Sequence, residues 1–232
     1  MAIIALIVTP LVINIIRKAR ITADKRSIAA YESDKTPQEP VIPTYTAYSV
    51  GDPVTYNNIN YYVIKDSGSN EESVTLLKAE PLTAEEITDY KPSESQSYGN
   101  GMKYHSSSST YSTSYVKTTV KAWAADKLDL EDLAADSTGY SVRLLNHDDL
   151  ITYLGYINSL DTWLTTLSSN GTTPDWVYNS NYWHWTMSPY NDSSSGVWRV
   201  LYNGDLDYRS GSYYDSGVVV VRPVITISKS AL

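Results

Sequence analysis

Three histidines are the side chains of this sequence best suited to acid–base chemistry or to binding a transition metal. His105, His147 and His184 lie far apart in the chain, without a paired acid at a catalytic spacing. The chain has no cysteine. This excludes a disulfide framework, a thiolate metal site and a cysteine nucleophile. The histidines are therefore interpreted as ordinary surface or core residues.

Aspartates offer the other candidate chemistry. Asp205, Asp207 and Asp215 could supply oxygen ligands to a cation, but aspartates in hairpins more often form hydrogen bonds that shape turns. No nucleophile–base–orienter set and no glycine-rich phosphate loop can be assembled from the sequence. We therefore predict a protein that is not an enzyme and that holds no cofactor and no metal.

Residues 190–216 have the composition of a binding surface. The chain contains 21 tyrosines and 6 tryptophans but no phenylalanine. Tyrosine combined with Ser, Asn, Asp and Gly is typical of antibody paratopes, which join stiff amphipathic rings to adaptable hydrogen bonding. The alternative is a Tyr-rich loop region on a β-rich domain. The candidate ligand-binding residues, here named the tyrosine face, are Tyr190, Asn191, Asp192, Trp198, Tyr202, Asn203, Asp207, Tyr208, Arg209, Tyr213, Tyr214 and Asp215.

The N-terminal stretch has a different character. Residues 2–16 are almost entirely apolar, and basic residues follow at once. A helix over this run would be roughly 22 Å long, short of the ~30 Å hydrocarbon core of a bilayer. A secretory signal would place its charge before the apolar run. We predict a helix buried against copies of itself, with a membrane-anchoring helix that forms no polymer as the alternative. The predicted assembly residues are Ile3, Ile4, Leu6, Ile7, Val8, Pro10, Leu11, Val12, Ile15 and Ile16.

The order of residues in this stretch points to a family. An apolar run reaches Thr9-Pro10, then Asn14, then basic residues and alanines over 17–20. This resembles the N-terminal helix of type IV pilins, particularly those of Gram-positive bacteria. The family's processing motif, Gly followed by Phe-Thr-Leu-Ile-Glu, is absent. We therefore expect the chain to begin inside the family motif, or its start to be miscalled or trimmed.

Charge and proline separate this stretch from the remainder of the chain. Residues 1–31 carry five basic side chains and one acid, so the other 201 residues must carry −12 for the chain to reach its net charge of −8. An acidic body argues against a phosphate-binding or nucleic-acid-binding surface. Pro37, Pro40 and Pro43 indicate a semi-rigid linker. The part of the chain after this linker is long enough for a real core.

The body alternates strand and helix signals. Strands are predicted around 51–56, 59–66, 73–77, 140–145, 182–189, 197–201 and 217–227, with turns at Asn57-Asn58 and Asn203-Gly204. Helices are predicted from 112–114 to about 124, from Asn146, and over 160–167. The stretch 85–114 is interpreted as a surface loop and its serines 106–109 as linker. Pro223 predicts an edge or bulge within the last strand.

A second resemblance covers roughly 48–232. Its ordered motifs are Val50-Gly51-Asp52 with a hairpin, Arg-Leu-Leu at 143–145 before a capped helix, Tyr-Trp-x-x-Thr-Met-Ser-Pro at 182–189, and Val-Arg-Pro-Val-Ile at 221–225. This set is similar to the C-type-lectin-like fold, in the branch of the formylglycine-generating enzymes and of variable ligand-binding proteins diversified by retroelements. The lectin motifs Glu-Pro-Asn and Trp-Asn-Asp are absent. Without cysteine, the activity of the formylglycine-generating enzymes cannot be inherited.

Together these patterns predict an α+β chain, with a long N-terminal pilin-like helix followed by a β-rich C-type-lectin-like head with two or three helices. The predicted parts are a filament-core helix over 1–31, a linker over 32–47 and a head over 48–232. The predicted function is a pilin that self-assembles into an extracellular, cell-surface filament, contacts the membrane before assembly, and displays its head to a glycan or protein ligand. The alternative is a membrane-anchored variable ligand-binding protein that forms no filament.

Overall fold

The computed structural model describes residues 17–26, 43–155, 174–178, 181–190, 194–212 and 219–232. The chain divides between Pro43 and Thr44 into two units. In the first unit, the described residues 17–26 form a helix, α1, whose ten residues are all exposed. The predicted assembly residues, at positions 3 to 16, lie outside the described residues.

Three helices belong to the second unit, here named the head. They are α2 (Ala84–Tyr90), α3 (Tyr115–Lys127) and α4 (His147–Tyr153). Both α2 and α4 begin with a capping box, Thr83 with Glu86 and Asn146 with Asp149, in which each side chain bonds the backbone of the other residue. Ser114 caps α3 by accepting the Lys117 N–H. These caps satisfy backbone donors that a helix start leaves without partners.

The described part of the head contains two sheets. The first has the strand order β1-β2-β3-β11-β6, and the second has the order β4-β5-β10-β7-β8-β9. All strand pairs are antiparallel except β10 with β7. The strands are β1 (Pro53–Tyr56), β2 (Ile59–Asp66), β3 (Ser73–Lys78), β4 (Ser97–Tyr98), β5 (Gly101–Met102), β6 (Val142–Arg143), β7 (Trp183–Pro189), β8 (Gly196–Val200), β9 (Leu206–Ser210), β10 (Val219–Val220) and β11 (Val224–Ser228).

The β1–β2 hairpin shows how local sequence sets register. Asn57 and Asn58 both have positive φ, 48° and 60°, and Tyr56 pairs with Ile59. Two left-handed residues form the two-residue turn whose twist matches the flanking strands, and asparagine tolerates this conformation better than most residues. The predicted turn at Asn57-Asn58 is confirmed.

Side chains that alternate along the strands of the first sheet belong to two separate apolar clusters. Val63, Leu76 and Ile225 belong to a large cluster with α2, α3 and the second-sheet residues Trp185 and Val197. Their chain neighbours Ile64, Leu77 and Val224 belong to a smaller cluster with α4, Val200 and Leu206. Both faces of the first sheet are therefore covered, and each cluster also includes residues of the second sheet.

The predicted fold class is wrong. The described chain is mostly β-sheet with four short helices, and no long N-terminal helix is present among the described residues. The described part of α1 has ten residues, all of them exposed. Among the residues that the structure describes, no helix has both the length and the apolar character needed to cross a bilayer.

Several element predictions can be compared with the structure. The predicted helices at α3 and α4 are confirmed, with Val116, Val120 and Trp123 buried in α3. The predicted helix over 160–167 lies outside the described residues. The surface loop predicted over 85–114 is wrong where α2, β4 and β5 form, and Met102, Tyr104 and Tyr111 of this stretch are buried.

The single strand predicted over 217–227 is also wrong. It is divided into β10 of the second sheet and β11 of the first, because the break falls where Pro223 lacks a donor.

Candidate functional site

The tyrosine face is built on the β8–β9 hairpin, at one edge of the second sheet. The register pairs Trp198 with Tyr208 and Arg199 with Asp207. Side chains alternate along a strand, so the two aromatic residues share one face of the hairpin and the ion pair shares the other. The hairpin therefore separates an aromatic side from a charged side.

Three rings meet on the aromatic side. Tyr190, which directly follows β7, stacks on Tyr208 with ring centroids 3.8 Å apart and planes 3° apart. Both rings stand at a steep angle to Trp198, with centroids 5.3 Å and 6.1 Å from it. All three residues are half-buried. Each ring therefore buries part of its surface against the other two. The cluster attaches the end of β7 to the hairpin.

The charged side centres on a buried arginine. The Arg199 side chain is only 1% exposed, donates from Nη2 to Asp207 over 2.8 Å, and lies 4.0 Å from the Trp183 ring centroid. Asp207 also accepts the Tyr208 N–H at 2.7 Å and lies 3.8 Å from the exposed Arg209. The arginine is thus held by a carboxylate and an aromatic ring. These two contacts of Arg199 fix the charged side of the hairpin.

The tip of the hairpin is its most accessible part. Tyr202 is 52% exposed and Asn203 is also exposed. The Asn203 side chain donates to the Asp205 carboxylate and accepts the Asp205 N–H. Gly204 has φ +85°, and a Cβ at that position would lie 2.8 Å from the Tyr178 ring. The turn therefore requires glycine, and it presents Tyr202 and Asn203 outward.

The predicted residues of the tyrosine face differ in their contacts and exposure. Tyr190, Trp198 and Tyr208 pack on one another, Asp207 bonds Arg199, and Tyr202, Asn203 and Arg209 are exposed. The other five predicted residues, Asn191, Asp192, Tyr213, Tyr214 and Asp215, lie outside the described residues.

A serine loop also borders the tyrosine face, although the sequence suggested only a linker there. The Ser109 N–H and hydroxyl both donate to the Ser194 carbonyl, at 3.1 Å and 3.2 Å. The Gly211 N–H donates to the Ser195 carbonyl at 2.7 Å. The Gly211 carbonyl in turn accepts the N–H groups of Tyr104 and His105. One hydrogen-bonded junction, at the start of β8 and the end of β9, is therefore formed by residues 104–109, 194–195 and 211.

His105 shapes this loop. Its ring stacks on Tyr115, with centroids 5.4 Å apart and planes 6° apart. Its Nδ1 accepts the N–H groups of Ser107 and Ser108, at 3.1 Å and 3.2 Å. Through these two bonds the imidazole fixes the backbone conformation of the serine loop. The role found for His105 is structural and local.

Gly211 offers a test of the junction. We expect Gly211→Ala to lower the free energy of unfolding by about 1–3 kcal/mol, because the added Cβ would lie 2.9 Å from the Ser108 carbonyl oxygen. Urea unfolding measures the change. Ser210→Ala, at an exposed neighbour in β9, is the control and should stay within about 0.5 kcal/mol of wild type. Equal stability of the two variants would contradict the tight junction.

The groups that could hold a metal or act on a substrate do not converge. Within the described ranges, no three His, Asp or Glu side chains are grouped so as to hold a metal ion. His184 is buried in β7, and His147 begins α4 with its side chain 34% exposed. The three histidines thus occupy separate environments, and Asp215 lies outside the described residues.

A polar groove of about 760 Å³ lies elsewhere on the head, between the β1–β2 hairpin and residues 78–86. Two charged side chains that line the groove, Glu86 and Lys78, have hydrogen-bond partners. Glu86 accepts the Trp123 indole N–H and the Thr83 N–H. Lys78 donates to the carbonyls of Glu80 and Pro81. These contacts attach α2 and its preceding loop to the core, and they leave the groove without a converging set of reactive groups.

Comparison with known protein families, with curated proteins and with solved structures finds no match for this chain. The resemblances to type IV pilins and to the C-type-lectin-like fold therefore stay predictions.

Proposed function

We propose that this chain is a non-catalytic, structural subunit of an extracellular filament of the type IV pilus kind. In this proposal, the apolar residues 2–16 drive self-assembly and contact the membrane before assembly. The head faces outward at the cell surface and presents the tyrosine face to a glycan or protein ligand. The chain would then act by polymerising and by display.

The observation that supports this proposal is that the head supplies its own core. Every residue of the two apolar clusters lies between Tyr48 and Ala231. The apolar run at 2–16 belongs to the other unit of the chain. The head therefore has an apolar core of its own, and an apolar run outside the head is suited to association.

The energy available from that run is large enough for assembly. Burial of an apolar side chain contributes roughly 1.5–3 kcal/mol for the larger types. Association costs about 4–15 kcal/mol in translational, rotational and ordering terms. About ten buried Ile, Leu and Val side chains per subunit would contribute about 15 kcal/mol at the lower value, which matches the upper end of that cost. Apolar burial alone is then sufficient to hold a polymer.

The exposed hairpin tip supports the proposed display role of the head. Tyr202 and Asn203 project from a turn that Gly204 and the Asn203–Asp205 bonds hold in place. Exposed tyrosines on a stiff support lose little entropy on binding and offer a large contact area. The tip is the part of the head best arranged to meet a ligand.

Electron microscopy of the purified chain tests the assembly role. We expect long filaments from wild type and their loss in Ile7→Asp, because an unpaired carboxylate in an apolar interface is very costly. Leu130→Asp is the matched control, since Leu130 is 57% exposed on the head and its replacement should leave filaments intact.

Two outcomes would contradict the proposal. Filaments at normal yield from Ile7→Asp would show that residues 2–16 do not form the interface. Wild-type material that stays monomeric or in small oligomers, but still binds cells, would favour the alternative of a membrane-anchored ligand-binding protein.

A further inference from the structure

Helix α1 concentrates positive charge on an exposed surface. Five of its ten residues are basic, one is acidic, and all ten are exposed. The basic residues are Arg17, Lys18, Arg20, Lys25 and Arg26, and the acid is Asp24. The only side-chain bond described within the helix joins the Thr22 hydroxyl to the Lys18 carbonyl. Among the described contacts, none engages the five charged groups with a carboxylate.

The position of α1 in the chain narrows its possible partners. The basic residues follow directly on the apolar run at 2–16. A single apolar or lipid anchor binds a membrane reversibly, and an adjacent polybasic segment supplies the second signal that stable attachment requires. An apolar run next to exposed basic residues therefore matches a bilayer that offers both an acyl interior and an anionic surface.

The charge of the head strengthens this argument. Residues 1–43 carry six basic and four acidic side chains, so the head must carry −10 for the chain to reach its net charge of −8. An anionic surface repels a body of that charge and attracts α1. The chain would then meet such a surface through α1, with its acidic head turned toward solvent.

We propose that α1 binds the phosphate headgroups of anionic phospholipids and holds the chain at the bilayer surface. This inference rests on the membrane-held stage of the proposed function. The three arginines can bond phosphate oxygens in bidentate fashion, and the two lysines act as point charges. The attraction acts over about one Debye length, roughly 10 Å at moderate salt, so the helix must lie close to the headgroups.

Co-flotation of the full chain with vesicles tests this inference. One set of vesicles contains phosphatidylcholine alone, and the other contains about 30% phosphatidylglycerol as the anionic lipid. Each basic residue near an anionic surface raises partitioning roughly fivefold. We therefore expect wild type to partition at least about tenfold more strongly into the anionic vesicles, and high salt to reduce that preference.

The decisive variant replaces Arg17, Lys18, Arg20, Lys25 and Arg26 with glutamine, which keeps good helix propensity and removes the charge. It should lose the preference for the anionic vesicles. Ile7→Asp is the matched control, since it weakens binding to both vesicles while keeping a preference for the anionic ones. A glutamine variant that retains the full anionic preference would overturn the inference. So would wild-type binding that ignores lipid charge.

Electron microscopy of the same samples separates this inference from the proposed function. If wild type prefers anionic vesicles but forms no filaments, the lipid contact stands and the filament role fails. If the glutamine variant keeps the anionic preference but loses filaments, the basic residues contact acidic heads of other copies, and the lipid contact is refuted.

Discussion

Arg143→Ala is expected to lower the free energy of unfolding of the head by about 3–5 kcal/mol. Arg143 lies in β6, and its side chain is 3% exposed. It donates from Nε to Asp136 at 2.6 Å, and from both terminal nitrogens to Asp149. It also donates to the Leu144 carbonyl at 2.8 Å. Its removal would leave two buried carboxylates without their cation.

The same network connects three parts of the head. Asp149 is the third helical residue of α4 and closes the capping box with Asn146. Asp136 holds the turn before β6 by accepting from the backbone and hydroxyl of Thr138. Burial alone would raise the pKa of Asp136, but Thr138 and Arg143 outweigh it and hold that pKa below its usual value. The loss of Arg143 would therefore disturb a turn, a strand and a helix start together.

Urea unfolding of the purified chain measures this effect, and Arg209→Ala is the matched control. Arg209 lies 3.8 Å from Asp207 and its side chain is 52% exposed, so its removal should change stability by less than about 1 kcal/mol. A loss of less than about 1 kcal/mol in Arg143→Ala would show that the buried network contributes little. The comparison separates a buried ion pair from an exposed one in the same fold.

Local sequence predicted the features of the fold that depend on neighbouring residues. The Asn57-Asn58 turn and the Asn146–Asp149 capping box each form within four residues, and both are confirmed. The same reasoning could have found α2, because Thr83 followed three residues later by Glu86 is also a capping-box pattern.

Features that depend on distant residues could not be predicted. The sheet order places β11 between β3 and β6, and no local pattern specifies that neighbour. Similarly, Ser109 bonds Ser194 across 85 positions of sequence. Composition indicated a binding surface at 190–216, but it did not show that Tyr190, Trp198 and Tyr208 would pack on one another. Ring geometry is a tertiary property, and periodicity carries no information about it.

Acidification is expected to destabilise the head through His184. This histidine is 3% exposed in β7, and its Nε2 has no hydrogen-bond partner in the described part of the chain. Burial, with a smaller contribution from the nearby Arg222 charge, lowers the pKa of His184 from 6.5 to about 3. The folded chain therefore keeps this imidazole neutral over most of the acidic range.

The sign of the effect is set by proton binding. Below pH 6.5 the unfolded chain protonates this histidine, whereas the folded chain does not until about pH 3. The unfolded state then binds more protons, so stability falls as pH falls through that window. The slope approaches about 1.4 kcal/mol per pH unit, which gives a loss of roughly 2–3 kcal/mol between pH 6.5 and 4.5. That is a large part of a typical folding free energy of about 5–15 kcal/mol.

Urea unfolding at a series of pH values from about 7.5 to 4.5 measures this effect. Free Asp and Glu have pKa values of about 3.9 and 4.3 and begin to titrate at the lower end of this window, so the difference between wild type and His184→Gln isolates the histidine. The pKa values of Asp66 and Asp136 are both lowered below 3.8 in the folded chain, so their contributions are lost only at more acidic pH. His184→Gln is neutral at every pH and should flatten the profile. His147→Gln, at a partly exposed site, should keep the wild-type slope. If His184→Gln retains that slope, then His184 is not the group that makes the head sensitive to acid.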